Sequence, residues 1–419
     1  MQALISAKAG LGERSRLAIF LYDCSLYSYL KDLAIKLVEV GYAVDIFLKD
    51  WDINPDFAGI SAFRLHENIR VFDFTSRPTR SQVMRRRAKR LFNRLALCVS
   101  LELQDKPEDI IDRSILNRSK EIVNESHYRC FIGVEREGLI WAGLLAETYK
   151  CPFIYYSLEL YAEDNPVFYR VYHLRAAERR YHQLSVATII QDRLRASALL
   201  KSNGVEHANL LYYPVSVGGG VVREKSRFLQ NKFNIGDDKK ILLYFGSIHA
   251  SRCVTEIVAL AGHLDDDAIL VVHGWGPTKY LDYLQSIADK SKVTFSLGFL
   301  AEDEITEMVS SAHIGIALYE TTNANDRLVA FSSSKIAYYA QCGVPLIAFD
   351  TESFRDLMGH YVCGELINTV GEIPGKVRRI LENYIAYRDQ AHAAYERFYS
   401  LDGNVSRLIS GLEQTLGAL

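Results

Sequence analysis

At 419 residues the chain is longer than a single hydrophobic core usually serves, so two domains of about 200 residues each are expected. Lys and Arg number 49 against 51 Asp and Glu, and the resulting net charge of -2 excludes the basic field of a nucleic-acid module. No apolar run reaches the roughly 18–20 residues that span a bilayer, and the stretch before Arg16 lacks the apolar core of a signal peptide, which points to a cytoplasmic protein.

In chain order, residues 17–22 form a short apolar strand pattern. Leu30, Leu33, Ala34, Leu37 and Val38 then recur at helical spacing, Gly41 stands where a helix-terminating glycine belongs, and residues 43–48 read as the next strand. The same strand–helix–strand grammar returns with a strand at 130–134, a helix over 139–149 and a strand at 153–156, followed by a weaker strand at 187–190. Ser216, Val217, Gly218, Gly219 and Gly220 offer little to pack, which suits a hinge. Beyond it, strands are expected at 241–245, 269–272, 293–297, 314–318 and 345–349, and the stretch from 375 is helical by pattern. Short alternating units of this kind imply parallel sheets covered by helices, an α/β fold. The expected division is a first domain over 1–216, a second over 221–395, and a helix over 396–419 returning to the first.

Seven scattered cysteines without Cys-x-x-Cys spacing argue against a disulfide framework or a thiolate zinc site, and no metal is expected. Between Arg77 and Arg94 lie eight basic residues and no acidic one, followed by apolar residues 95–99. This is either a peripheral docking segment for anionic membrane or a solvated basic face.

In an open parallel sheet, ligands bind beyond the carboxyl ends of the strands, and here those ends are small, polar or aromatic. Gly246, Ser247 and Arg252 follow one strand; His273, Gly274, Trp275 and Gly276 follow the next; Phe299 and Leu300 the third; Glu320 the fourth. Ser332, Ser333, Ser334 and Lys335 open a helix that runs through Ile336 and Tyr338. Serines there leave backbone N–H groups facing outward for an anion such as a diphosphate, or simply cap the helix. In the first domain Glu159 follows a buried strand, where it either orients reacting groups or caps the next helix. No Gly-x-x-x-x-Gly-Lys segment supports a P-loop ATPase.

The strand ends around Gly246, Gly274-Trp275-Gly276-Pro277 and Leu297-Gly298-Phe299-Leu300 culminate in Ser334-Lys335-Ile336-Ala337-Tyr338-Tyr339-Ala340-Gln341-Cys342-Gly343-Val344-Pro345. Together they resemble the retaining, family 4-like glycosyltransferases of the glycosyltransferase-B fold, with the resemblance running from about residue 17 to 395. It implies two Rossmann-like domains facing across a cleft, with a nucleotide sugar in the second and an acceptor in the first. A UDP-hexose such as UDP-glucose is implied over a GDP-hexose, with a saccharide or lipid-linked acceptor, in polysaccharide biosynthesis and without a metal or other cofactor. Arg252 falls on the family's pyrophosphate-binding lysine, while Ser247 replaces its arginine partner. Phe299 and Leu300 fall where the base is held, and Ser333, Ser334 and Lys335 where N–H groups meet phosphate. Tyr338 replaces a ribose-binding glutamate, and Glu320 is the candidate acidic residue near the donor sugar. The glycine-rich loop after the first strand is replaced by Asp23, Cys24, Ser25 and Leu26. A sugar-nucleotide epimerase of the same architecture and a catalytically silent assembly scaffold are the alternatives.

Overall fold

The computed structural model describes residues 15–22, 27–49, 66–74, 107–161, 172–206 and 208–418. The basic segment between Arg77 and Arg94 and the tetrapeptide beginning at Asp23 lie outside the described residues. Thirteen strands form two sheets in these residues, and every strand pair within them is parallel.

The first sheet contains β1 (Arg16–Leu21), β2 (Ala43–Leu48), β3 (Ile69–Asp73), β4 (Tyr128–Val134), β5 (Phe153–Tyr156), β6 (Ala187–Ile190) and β7 (Leu210–Tyr212), in the order β3-β2-β1-β4-β5-β6-β7. The second contains β8 (Lys240–Ser247), β9 (Ala268–Trp275), β10 (Val293–Leu297), β11 (Ile314–Ala317), β12 (Leu346–Phe349) and β13 (Gly364–Ile367), in the order β10-β9-β8-β11-β12-β13. Each sheet is covered on both faces by apolar clusters, which is why strands such as Ala43–Leu48 read as unbroken apolar runs and not as alternating ones. The exception inside that run, Asp45, is fully buried and satisfied: Arg16 and Arg70 donate to it at 2.6 and 2.8 Å, and the Tyr128 hydroxyl at 2.5 Å. It ties β2 to its neighbours at the end of the sheet remote from the cleft.

Most of the expected strands are present with ends displaced by one to three residues. Those at 69–73, 210–212 and 364–367 escape the apolar pattern because all three lie at sheet edges, where one flank is not packed between other strands.

The chain crosses between the sheets twice, and the two crossings lie side by side. Val217 N–H donates to Tyr399 O at 3.1 Å, and Leu401 N–H returns to Val217 O at 3.2 Å. The glycine run does not hang free, since Gln341 Nε2 donates to Gly218 O at 2.6 Å and Gly220 O at 3.2 Å. Tyr395 and Tyr399 still pack in a core of the second sheet, so the helix that reaches back to the first begins at Leu401, not 396. That helix, Leu401–Gly417, buries Val405, Leu408, Leu412 and Leu416 at helical spacing against the first sheet.

Candidate active site

Strand order reverses between β1 and β4 in the first sheet and between β8 and β11 in the second, and ligands of such sheets bind in the crevice beyond these switch points. At the second, Gly246 and Gly274 are register partners at the ends of β8 and β9. A Cβ on Gly274 would lie 1.8 Å from Gly246 O, and its φ is +143°, so only glycine lets the two strand ends approach this closely. Ser247 is exposed just beyond, and its carbonyl accepts from the Tyr244 hydroxyl at 2.5 Å.

Two cations converge here. The Arg252 guanidinium lies 4.7 Å from the centroid of the Tyr319 ring and donates to Asp326 Oδ1 at 2.6 Å. Lys335 Nζ lies 5.3 Å from the same centroid and 4.0 Å from that of Tyr244. Burial pushes the Lys335 ammonium down to about 7, and Arg252 adds to the effect. A buried ammonium resting on ring faces beside a second cation is poised for an anion. Its side chain approaches Gly246, whose Cβ position is 3.5 Å from Lys335 Cε. The ammonium therefore stands near the end of β8.

The helix Ser334–Gln341 starts at the same place. Its N-cap Ser333 makes no side-chain cap bond and instead pairs with the Tyr319 hydroxyl at 2.8 Å. The first helical N–H with a backbone acceptor is that of Ile336, which bonds Ser333 O at 3.2 Å, so those of Ser334 and Lys335 are left open.

From the first domain, the loop after β5 presents Glu159. Burial raises its carboxyl above the ordinary range, with Arg195 opposing, Asp326 adding and Arg252 opposing, so it lies within electrostatic reach of the Arg252–Asp326 pair. Beneath the loop, Glu135 follows β4 at the first switch point with φ 59°, a left-handed conformation costing about 1–2 kcal/mol for a residue with a Cβ. The turn is tight enough that a Cβ on Gly133 would sit 2.5 Å from Leu139 Cα. Glu135 Oε1 accepts the N–H groups of Leu158 and Glu159 at 2.5 and 2.9 Å, and burial pushes its carboxyl up to about 8.

Residues 225–397 match the family model described as Glycosyl transferases group 1. That match spans the second sheet and the helices around it. Anabaena HepE, in a structure with UDP and glucose, superposes with a TM-score of 0.68 at 13% identity, covering 96% of this chain and 100% of that one. Sucrose-phosphate synthase from Thermosynechococcus elongatus gives 0.68 at 15% identity over 97% and 100% of the two chains. A glycosyltransferase from Rickettsia africae gives 0.70 at 11% identity over 97% and 99%. Chitobiosyldiphosphodolichol beta-mannosyltransferase of Candida albicans is 24% identical over 115 residues, 27% of this chain and 24% of its own length. The fold is thus glycosyltransferase-B, two Rossmann-like domains.

Within the group 1 domain, the remaining expected residues separate. Trp275 and Phe299 are 51% and 81% exposed and stack with centroids 5.8 Å apart, an aromatic rim at the ends of β9 and β10. Gly276 lies against Ile248 O, and Leu300 packs on the core. Ile336 is fully buried, Tyr338 packs edge-on against Phe245, and His273 is buried with Nδ1 3.1 Å from Ser296 Oγ. Ser332 Oγ accepts from Arg195 at 3.2 Å and so faces the first domain. Glu320 is exposed, and its N–H bonds Ser251 O at 3.0 Å; the carboxylate on Arg252 is that of Asp326. Asp326, Tyr319, Arg195, Asn325 and Glu135 were not singled out by the sequence. The one signal available was Glu135, a charged residue between two glycines directly after a buried strand. No helix among the described residues is long and apolar enough to cross a membrane.

Proposed function

We propose that the protein transfers a hexose from a UDP-sugar, UDP-glucose or a related donor, to a hydroxyl of a saccharide or lipid-linked saccharide in polysaccharide synthesis, with retention at the sugar carbon. The observation that carries this reading is the convergence of Arg252 and Lys335 on one tyrosine ring beside the open helix start at Ser334. A diphosphate supplies the anion that this arrangement lacks. The Anabaena HepE structures with UDP-glucose and UDP support a uridine nucleotide over a guanosine one.

In this reading the bond from the sugar carbon to the diphosphate breaks, and negative charge grows on the leaving oxygens. Arg252, Lys335 and the N–H groups of Ser334 and Lys335 are already aimed at that charge, so little reorganisation is needed as it develops. The chain itself supplies this positive charge, and the proposal includes no metal or other cofactor. Trp275 and Phe299 offer ring faces for the base. Glu159, from the opposite domain, holds the acceptor hydroxyl and polarises it towards the sugar carbon. Its carboxyl, raised by burial, holds a proton more readily than an exposed carboxylate does.

Calorimetric titration with UDP and GDP tests the reading. UDP is expected to bind, and Arg252→Ala to weaken it about 10- to 100-fold, the loss of one charge-assisted hydrogen bond. If neither nucleotide binds the wild-type protein, the donor assignment fails.

A further inference from the structure

The short turn Ala324–Arg327 belongs by sequence to the second domain, yet its two apolar ends are buried in the first. Ala324 and Leu328, four residues apart and each 4% exposed, join the cluster formed by Trp141, Tyr155, Leu160 and Leu174. Between them, Asn325 pairs with the backbone of Leu160 as a neighbouring strand would: Oδ1 accepts Leu160 N–H at 2.7 Å and Nδ2 donates to Leu160 O at 2.9 Å. The next residue, Asp326, faces the other way and holds Arg252. Asn323, the N-cap, accepts Asp326 N–H at 3.0 Å and donates to its carboxylate at 2.7 Å, which fixes the direction of that side chain.

Arg195 completes the seam from the first domain. It is 1% exposed, and its guanidinium donates to Leu158 O at 2.6 Å on its own side. Across the interface it donates to Asn325 Oδ1 at 3.0 Å, Ser332 Oγ at 3.2 Å and Leu328 O at 3.4 Å. The backbone polar groups of the loop presenting Glu159 are thereby accounted for. Leu158 N–H and Glu159 N–H go to Glu135, Leu158 O to Arg195, Glu159 O to the Ser157 hydroxyl, and both polar groups of Leu160 to Asn325.

We propose that the turn Ala324–Arg327 is a docking element that couples the meeting of the two domains to the placement of Arg252, with Asn325 and Arg195 as its positioning residues. When the turn seats on the first domain, it brings Glu159 and the Arg252–Asp326 pair to opposite walls of one cleft in a single movement. When it lifts, the loop at 158–160 loses the partners of Leu160, and Asp326 moves with the turn. Asn325 and Arg195 touch neither reacting group in this scheme. The proposal rests on the glycosyl-transfer reading for its consequence on turnover, while the docking itself does not.

The test combines two measurements on the full-length protein. Asn325→Ala is expected to lower kcat by about 10- to 100-fold with UDP-glucose as donor, hydrolysis included, the size expected when reacting groups lose about 1 Å of alignment. Its UDP affinity should fall less than that of Arg252→Ala, because the Arg252 guanidinium is kept and only its placement is loosened. In parallel, hydrogen exchange of peptides covering residues 153–161 and 324–332 should accelerate at least tenfold, whereas a peptide over β8 should not change. Asn325→Asp keeps the acceptor for Leu160 N–H and Arg195 but loses the donor, so it should fall between the two. Arg195→Lys, which retains the charge without the fork, should act in the same direction as Asn325→Ala. Unchanged exchange at 153–161 in Asn325→Ala overturns the docking role. Accelerated exchange with kcat within twofold of wild type overturns the coupling to catalysis. A wild-type protein that binds no nucleotide defeats the donor reading and leaves the exchange result to decide the docking.

Discussion

Replacing Lys335 with Met separates the electrostatic cost of the site from its use. Lys335 is 7% exposed as a residue, and its ammonium sits at about 7, against 10.5 for a free lysine, with burial as the larger cause and Arg252 the smaller. A depression of that size corresponds to about 5 kcal/mol against the charged form. Because the folded value lies below the unfolded one, the unfolded chain binds more protons between pH 7 and 10.5, and stability from this group rises with pH across that window. Below pH 7 both states are protonated and the full cost is present. Lys335→Met is therefore expected to be more stable than wild type by up to about 5 kcal/mol at pH 6 in denaturant melts, with the gap closing towards pH 10. The same variant should bind UDP-glucose at least 10-fold more weakly. Wild-type binding should take up more than about half a proton at pH 9 and almost none at pH 6, read by calorimetry in buffers of different ionisation enthalpy. A variant no more stable than wild type at pH 6, and equal to it in binding, refutes the argument that Lys335 is a strained cation held for a diphosphate.

Glu159→Gln should bind UDP-glucose as wild type does but turn over about 100-fold or more slowly, as measured by UDP release; equal turnover would remove Glu159 from the reaction. Phe299→Ala removes a side chain that is 81% exposed, so melting should change by no more than about 0.5 kcal/mol. Its affinity for UDP should fall several-fold while that for inorganic pyrophosphate stays level, and a parallel loss of both would place the base elsewhere.

Much of the fold was legible because fully buried parallel strands and the helices between them leave two distinct periodicities in the chain. β2 and β10 fall on the residues expected, and the run from Ser334 to Gly343 marks a helix and its end. Of the four edge strands only β10 was legible; β3, β7 and β13 were not, since a strand with one free flank needs fewer apolar residues. At the site, the strand-end residues on the second domain could be read from position alone, which is how Arg252, Ser333 and Lys335 were singled out as candidates. The role of the Lys335 side chain was hidden, because its partners Tyr244 and Tyr319 lie on two other strands' ends.

What the sequence by itself determined is therefore the set of elements and the edge of each sheet where chemistry gathers, both being consequences of local periodicity and of parallel connection. What only the tertiary structure decided is which groups meet: Asp326 on Arg252, Lys335 beside Gly246, Asn325 on Leu160, and Glu135 beneath Glu159. These contacts join residues from different strand ends and, for Leu160 and Asn325, from positions 165 apart, and distance along the chain carries no trace of them. They are set by how the two sheets twist and approach, and that depends on all the packing between them at once.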